Sequence, residues 1–317
     1  SRDCSFGILS SQGEMPLEGA SSQHFVYLRV AQRLLEKVRL EDIHEGDVFI
    51  GNDPHEIGSG HAPDVLITAP VMMGGAIVAF CTTLAHKMDF GGAVPGSIYM
   101  GATEIFQEGL LIPLMKMYDR GKVVPQVEQI IRTNVRNADI VLGDLGAQVG
   151  STLIGIDRVR ELINRYTPET INQTFESLLA SSSIRIRKLV AQWPGKVAES
   201  EAYLDPPVNS GHPVKLHVRV TRERDHLTFD FNETDPQVRD PINVQYSVLM
   251  KVISTCLVSM TDANIPEHVG IARAFSVVAK EGIVLNPVSP APVGNTTMVQ
   301  TAVIDIVQNC LLTLKGA

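Results

Sequence analysis

The sequence lacks the compact signatures of nucleotide binding and of serine hydrolases. It holds no G-x-x-x-x-G-K-[ST] loop, Gly91-Gly92 and Gly96 do not make a G-x-G-x-x-G, and no G-x-S-x-G elbow is present. Gly58-Ser59-Gly60-His61 sets a serine beside a histidine, but neighbours in sequence rarely form a catalytic dyad. Cysteine is scarce: Cys4, Cys81, Cys256 and Cys310 are widely spaced with no C-x-x-C, which argues against a disulfide framework and for a reduced, cytoplasmic protein. Positive charge is in deficit. Lys and Arg number 27 against 35 Asp and Glu, a net charge of −8, so a basic nucleic-acid footprint is absent. No apolar run reaches the roughly 18 residues of a membrane span. The longest candidate, residues 62–81, is broken by Pro63, Asp64, Pro70 and Gly74-Gly75, so no membrane partner is expected. Solenoid repeats and low-complexity linkers are missing as well. The start, Ser1-Arg2-Asp3-Cys4, is neither a signal peptide nor an initiator methionine. The end stops inside the apolar run Leu311-Leu312-Thr313-Leu314, and the chain reads as an internal piece of a longer one.

What is present is globular. The 317 residues are 44% apolar and 20% charged, a length that suggests about two domains. The first third reads as strands and turns. Val48-Phe49-Ile50 enters a loop rich in Gly, Asn, Asp and Pro. Val65 to Met73 and Ala76 to Leu84 are apolar segments joined by Gly74-Gly75, a hairpin signal, and a second Gly-rich loop runs from Asp89 to Gly101. The middle reads as helices over 124–136, 140–166 and 168–193, with Pro168 at a first helical position and Trp193-Pro194-Gly195 as a stop. Strict alternation returns at Val214–Val220 and Leu227–Phe231, with a buried helix over 247–260 and a strand over 276–280. The expectation is a mixed α+β fold: a β-rich region at 1–125 carrying the site, a helical region at 126–200, and a second α+β region at 201–317 that is incomplete at its C-terminal end. A coarse boundary falls near Lys196–Asp205.

The sharpest chemical signal is a repeated H-x-x-D, at His61-Ala62-Pro63-Asp64 and again at His86-Lys87-Met88-Asp89. Imidazole nitrogens with carboxylate oxygens suit zinc, manganese or iron, and three protein ligands leave a position open. The competing reading is of polar loop histidines or hydrogen-bonded core groups. With Gly74 and Gly75 as the hairpin loop, residue 63 faces 86 and 61 faces 88, so His61 and His86 share a face and Asp64 falls on the other. Either a bulge marked by Pro63 or Pro70 slips the register, or Asp64 already lies in the loop. Asp89 is a reserve ligand. Asn52-Asp53-Pro54 opens the first loop, where Asp53 either orients a ligating imidazole or makes an Asx-Pro turn. Glu104, after the second loop, is a general acid–base candidate with Asp89, or else a helix-capping group. Arg136 is either an anion clamp or the partner of Asp139 or Asp144.

A series of blocks in this order resembles the hydantoinase B/oxoprolinase family: Arg2-Asp3-Cys4-Ser5, Gly46-Asp47-Val48-Phe49, Asn52-Asp53-Pro54, His61 to Asp64, Ala85 to Gly92, Pro95-Gly96-Ser97, Thr103 to Gly109, Asn134-Val135-Arg136 and Gly143-Asp144-Leu145. The likeness is dense to Asp144 and looser through Asp240 to Asn243 and Leu285-Asn286-Pro287. Members are longer at both ends and carry a Gly-rich C-terminal stretch that this sequence lacks. The resemblance implies a B-type subunit of an ATP-dependent enzyme that opens hydantoin, 5-oxoproline or lactam rings. It implies His61, Asp64 and His86 as ligands of a divalent metal (Zn, Mn or Fe); Asn52, with Asp53 or Asp89, is the candidate to orient them from behind. It also implies a hetero-oligomer with an A-type subunit, kin to acetate and sugar kinases, that binds most of the ATP and phosphorylates the substrate. Ketone carboxylation of the acetone or acetophenone type uses the same ligand set and is the runner-up. A structural subunit with a degenerate metal site is the third reading.

Overall fold

In the computed structural model, which describes residues 3–19 and 24–316, the chain divides into two compact units. Arg2 of the first resemblance block lies outside the described residues. One unit comprises Ser1–Ile98 with Glu108–Ser177, the other Tyr99–Gln107 with Leu178–Ala317.

The first unit is built on strands β1 (Cys4–Ser10), β2 (Leu17–Gly19), β3 (Val48–Gly51), β4 (Asp64–Met73), β5 (Ala76–His86), β6 (Met115–Asp119) and β7 (Lys122–Val123). They form one sheet in the order β2-β1-β5-β4-β3-β6-β7, every pair antiparallel. Helix α1 (His24–Lys37) follows β2 and the short α2 (Pro54–Ile57) follows β3. Helices α3 (Pro125–Asn134) and α4 (Ala138–Tyr166) come after the last strand. The α4 stripe Val141, Leu145, Val149, Ile156, Val159 and Ile163, at spacings of three, four or seven residues, packs on Val48, Ile50, Val65, Ile67, Ala69 and Cys81. Closeness there is tight: a Cβ on Gly155 would meet Phe6 Cζ at 2.8 Å and Cys81 Sγ at 3.2 Å.

Helix α1 departs from the sequence expectation of strands and turns alone. Its opening, Phe-Val-Tyr-Leu-Arg-Val, is rich in aromatic and β-branched residues, which favour strands. What decides it is the buried stripe Val26, Val30 and Leu34 at helical spacing, with Tyr27 hydrogen-bonded to Ser5 of β1.

The second unit holds a sheet of β8 (Val197–Leu204), β9 (Val214–Glu223), β10 (His226–Asp230) and β11 (Phe275–Val278) in the order β11-β10-β9-β8, with β10 and β11 parallel. Helix α5 (Pro168–Val190) leads into it, and α6 (Tyr246–Thr261) and α7 (Thr297–Lys315) belong to it. Helix α7, with mean hydropathy 1.3 over 18 residues, is long and apolar enough to cross a membrane by length and composition, which corrects the expectation from apolar runs. It buries one face, Val299, Val303, Ile306, Val307, Cys310, Leu311 and Leu314, and packs on β8, β9 and α6.

Candidate metal centre

The β4–β5 hairpin decides which side chains meet. Gly74 and Gly75 both have positive φ (57° and 82°), as a tight two-residue turn demands. Next to the turn the pairs are Met73–Ala76 and Met72–Ile77. The following pair is Val71–Ala79, so Val78 is left unmatched and the register slips by one. The bulge lies one residue beyond Pro70, and its consequence is carried to the far end, where Asp64 stands opposite His86. Lys87 N–H donates to Pro63 O (2.9 Å) and His86 N–H donates away from β4, to Asp3 O (3.1 Å). Asp64–His86 is therefore a non-hydrogen-bonded pair, the kind whose side chains stand closer.

His61 reaches the same place by a turn. Asp64 N–H donates to His61 O (3.1 Å), which folds residue 61 back over residue 64 and gives the H-x-x-D spacing its physical meaning. The three side chains then converge. His61 Nε2 lies 3.0 Å from Asp64 Oδ1 and 3.0 Å from His86 Nδ1, and His86 Nδ1 lies 3.1 Å from Asp64 Oδ1. The ring centroids are 4.8 Å apart, inclined at 51°. All three side chains are half-buried. Burial alone would raise the Asp64 carboxyl, but the charge and hydrogen bonds of His61 and then His86 outweigh it and bring it down to about 2. Among the described residues no Lys or Arg lies within ion-pair distance of Asp64.

That distinguishes the cluster from a second group of potential ligands, His44, Asp47 and Asp119. There Lys116 Nζ sits 2.9 Å from Asp47 Oδ2 and 2.8 Å from Asp119 Oδ1, and the backbone N–H groups of His44 and Arg120 donate to Asp47 as well. An ammonium already occupies the place a cation would take.

The other sequence candidates divide. Asn52 is fully buried and ties three segments: its Nδ2 donates to Ala62 O (2.6 Å) and Leu110 O (2.8 Å), and its Oδ1 accepts from Ile112 N (2.6 Å). It thus fixes the residue next to His61. Asp53 makes the Asx-Pro turn, accepting from His55 N (2.9 Å) as the cap of α2. Asp89 is spent on its own loop. Its carboxylate accepts from Gly91 N and Gly96 N (2.9 Å each) and from Arg136 Nη1 (3.0 and 3.2 Å). Burial works to raise the Asp89 carboxyl, and these donors hold it below the usual range. Arg136 also donates to Gly91 O and Gly92 O, so its partners are this loop, not Asp139 or Asp144. Glu104 is exposed and belongs to the segment Tyr99–Gln107, which groups with the second unit; its backbone N–H donates to Gln107 Oε1 (3.1 Å).

Sequence reasoning overlooked Lys87 and Gln148. Lys87 follows His86 and points to the opposite face, where its Nζ donates to Gln148 Oε1 of α4 (2.5 Å). Burial lowers the Lys87 ammonium to about 8, against the pull of Asp144, Cys4 and Asp64. The only trace in the sequence was a polar residue on the apolar stripe of α4, between Leu145 and Val149.

The profile of hydantoinase B/oxoprolinase matches residues 1–315. The chain belongs to this family. It is 32% identical over 278 residues to a protein of Pseudomonas sp. (strain NS671) provisionally named as the B-type subunit of a D-/L-hydantoinase, covering 84% of this chain and 47% of that protein. The crystal structure of ATP-dependent caprolactamase from Pseudomonas jessenii superposes with a TM-score of 0.89 at 27% identity, over 99% of this chain and 54% of that one. Nucleotide-free acetone carboxylase superposes with a TM-score of 0.88 at 14% identity, over 99% and 44%, a likeness of fold. The chain spans about half the length of these relatives, 47% of the first and 54% of the caprolactamase. The α+β architecture expected from the sequence is the one observed.

Proposed function

We propose that this chain supplies the metal-binding half of an ATP-dependent cyclic-amide hydrolase, acting with an A-type subunit that binds ATP and activates the ring. The convergence of His61 Nε2, His86 Nδ1 and Asp64 Oδ1 carries this reading. Its edges of 3.0–3.1 Å fit a cation. Three ligands at right angles about one ion at about 2.1 Å stand about 3.0 Å apart, whereas tetrahedral ligands at that bond length stand about 3.4 Å apart. Two imidazoles and one carboxylate form a donor set suited to manganese, iron or zinc.

When bound, a divalent cation supplies a Lewis acid and water of lowered pKa. The chain's own residues do the rest. Asp64 stays ionised and brings the negative charge. His61 and His86 would hold the ion together with Asp64. Asn52 keeps the His61 turn against 110–112, and the Asp89–Arg136 pair holds the Gly91-Gly92 loop. Ring hydrolysis is favoured over carboxylation because the caprolactamase likeness extends to sequence and the carboxylase likeness to fold alone.

The test is an ATP-coupled assay of the complex with its A-type partner. 5-Oxoproline, hydantoin, caprolactam and acetone plus bicarbonate are each offered, with and without chelator. Ring opening that needs ATP and stops with chelator supports the proposal. Bicarbonate-dependent turnover of the ketone alone moves the assignment to carboxylation, and activity indifferent to chelator removes the metal from it.

A further inference from the structure

On the α4 face of the sheet, directly behind the candidate ligands, a buried amide joins the two strands that carry them. We propose that Gln148, acting with Lys87, is a positioning residue that sets the separation of Asp64 and His86. Gln148 Nε2 donates to Val65 O (3.0 Å), and Val65 follows Asp64 on β4. Gln148 Oε1 accepts from Lys87 Nζ (2.5 Å), and Lys87 follows His86 on β5. One planar side chain thus spans both strands at the residues adjoining the two ligands. It has little freedom of its own: Gln148 is 6% exposed and Lys87 0%, and the neighbouring Leu145 and Val149 anchor α4 in the core. Thr152, one turn on, donates to Gln148 O (2.9 Å) and lies 3.4 Å from Thr83 of β5, extending the same seam.

Stability alone does not call for this arrangement. A buried ammonium held by a neutral amide is costly, and apolar residues of similar volume in such places are commonly as stable or more so. What polar groups supply and apolar ones do not is a fixed direction: the hydrogen bonds define where Val65 and Lys87 lie, and so where the side chains on the other face meet. The inference rests on the reading of His61, Asp64 and His86 as metal ligands, but its geometry does not require an ion.

The test titrates the full protein in its complex with Mn2+, comparing wild type, Gln148→Leu and the double variant Gln148→Leu/Lys87→Met. The double variant removes both polar partners together, which leaves no orphaned charge and keeps the fold accessible. Mn2+ affinity is expected to fall 10- to 100-fold in both variants, with a changed electron paramagnetic resonance spectrum of the bound ion. Amide exchange gives a reading free of metal. The Lys87 N–H, which donates to Pro63 O, is expected to exchange faster in both variants, while amides near the hairpin tip such as Ala79 keep wild-type protection. Folded variants with wild-type Mn2+ affinity and spectrum overturn the proposal. If the wild type binds neither Mn2+ nor Zn2+, the functional reading falls, and the exchange data alone decide: faster Lys87 exchange supports the positioning role, unchanged exchange overturns it.

Discussion

Replacing Lys87 by methionine isolates the cost of placing an ammonium under the sheet. In the folded chain burial brings this group from 10.5 down to about 8, a difference of roughly 2.5 units. At about 1.4 kcal/mol per unit, the charged form costs folding about 3 kcal/mol. The sign follows from proton counting. Between pH 8 and 10.5 the unfolded chain still binds the proton that the folded chain has shed, so this group makes stability rise with pH across that window. Below pH 8 the full cost is present, and above 10.5 it is gone. The Lys87→Met variant has no such pH dependence at this position. The difference in unfolding free energy, wild type minus Lys87→Met, should therefore climb by about 2–3 kcal/mol from pH 7 to pH 10. Urea denaturation at unit pH steps, with chelator throughout, measures it; tyrosine and cysteine titrations are common to both proteins and cancel. A difference that stays flat within about 0.5 kcal/mol over that range refutes the account of Lys87 as a buried charge.

Other expectations concern the ligands, their support and the helix behind them. His86→Ala should abolish the stabilisation that Zn2+ or Mn2+ gives the wild type, about 3 kcal/mol at a hundredfold excess over Kd, read as a loss of the metal-dependent rise in melting temperature. Asn52→Ala leaves Ile112 N–H and two carbonyls without their partner and should cost about 3 kcal/mol in chemical denaturation while weakening metal binding through the His61 turn. Gly155→Ala should destabilise by about 1–3 kcal/mol because the new methyl meets Phe6 and Cys81, whereas Gly146→Ala on the open side of the same helix should stabilise by about 0.5–1 kcal/mol; thermal melts of the two variants side by side check the contrast.

Much of this molecule was readable before its coordinates. The Gly-Gly hairpin and the three middle helices lie where turn chemistry and periodicity put them, because each depends on residues close in sequence. The conflict over which face Asp64 occupies was legible too, as a choice between a bulge and a loop. The unmatched residue, Val78, was not, since β-branched residues suit a bulge and a regular strand alike. Helix α1 went unseen because its opening residues favour strands. The Gln148–Lys87 contact spans 61 residues and carries no motif, so only the packing of α4 on the sheet reveals it. Asp89 and Arg136 illustrate the converse: both invited chemical roles, and both close a glycine loop.

The unmatched Val78 makes the hairpin a parity counter. Eight residues before His86 and close to the exposed Gly-Gly tip, it puts the two arms out of step by one residue. Its deletion would leave Asp64 opposite His86, because Val78 has no partner to lose and the remaining pairs form a regular hairpin. Losing a second residue from the same arm, or gaining one there with no further bulge, would set Asp64 opposite a neighbour of His86 and turn one of the two groups toward the helix that holds Gln148. That stretch thus tolerates the loss of one residue but not of two, while the positive φ of Gly74 and Gly75 holds the tip to residues that accept that backbone.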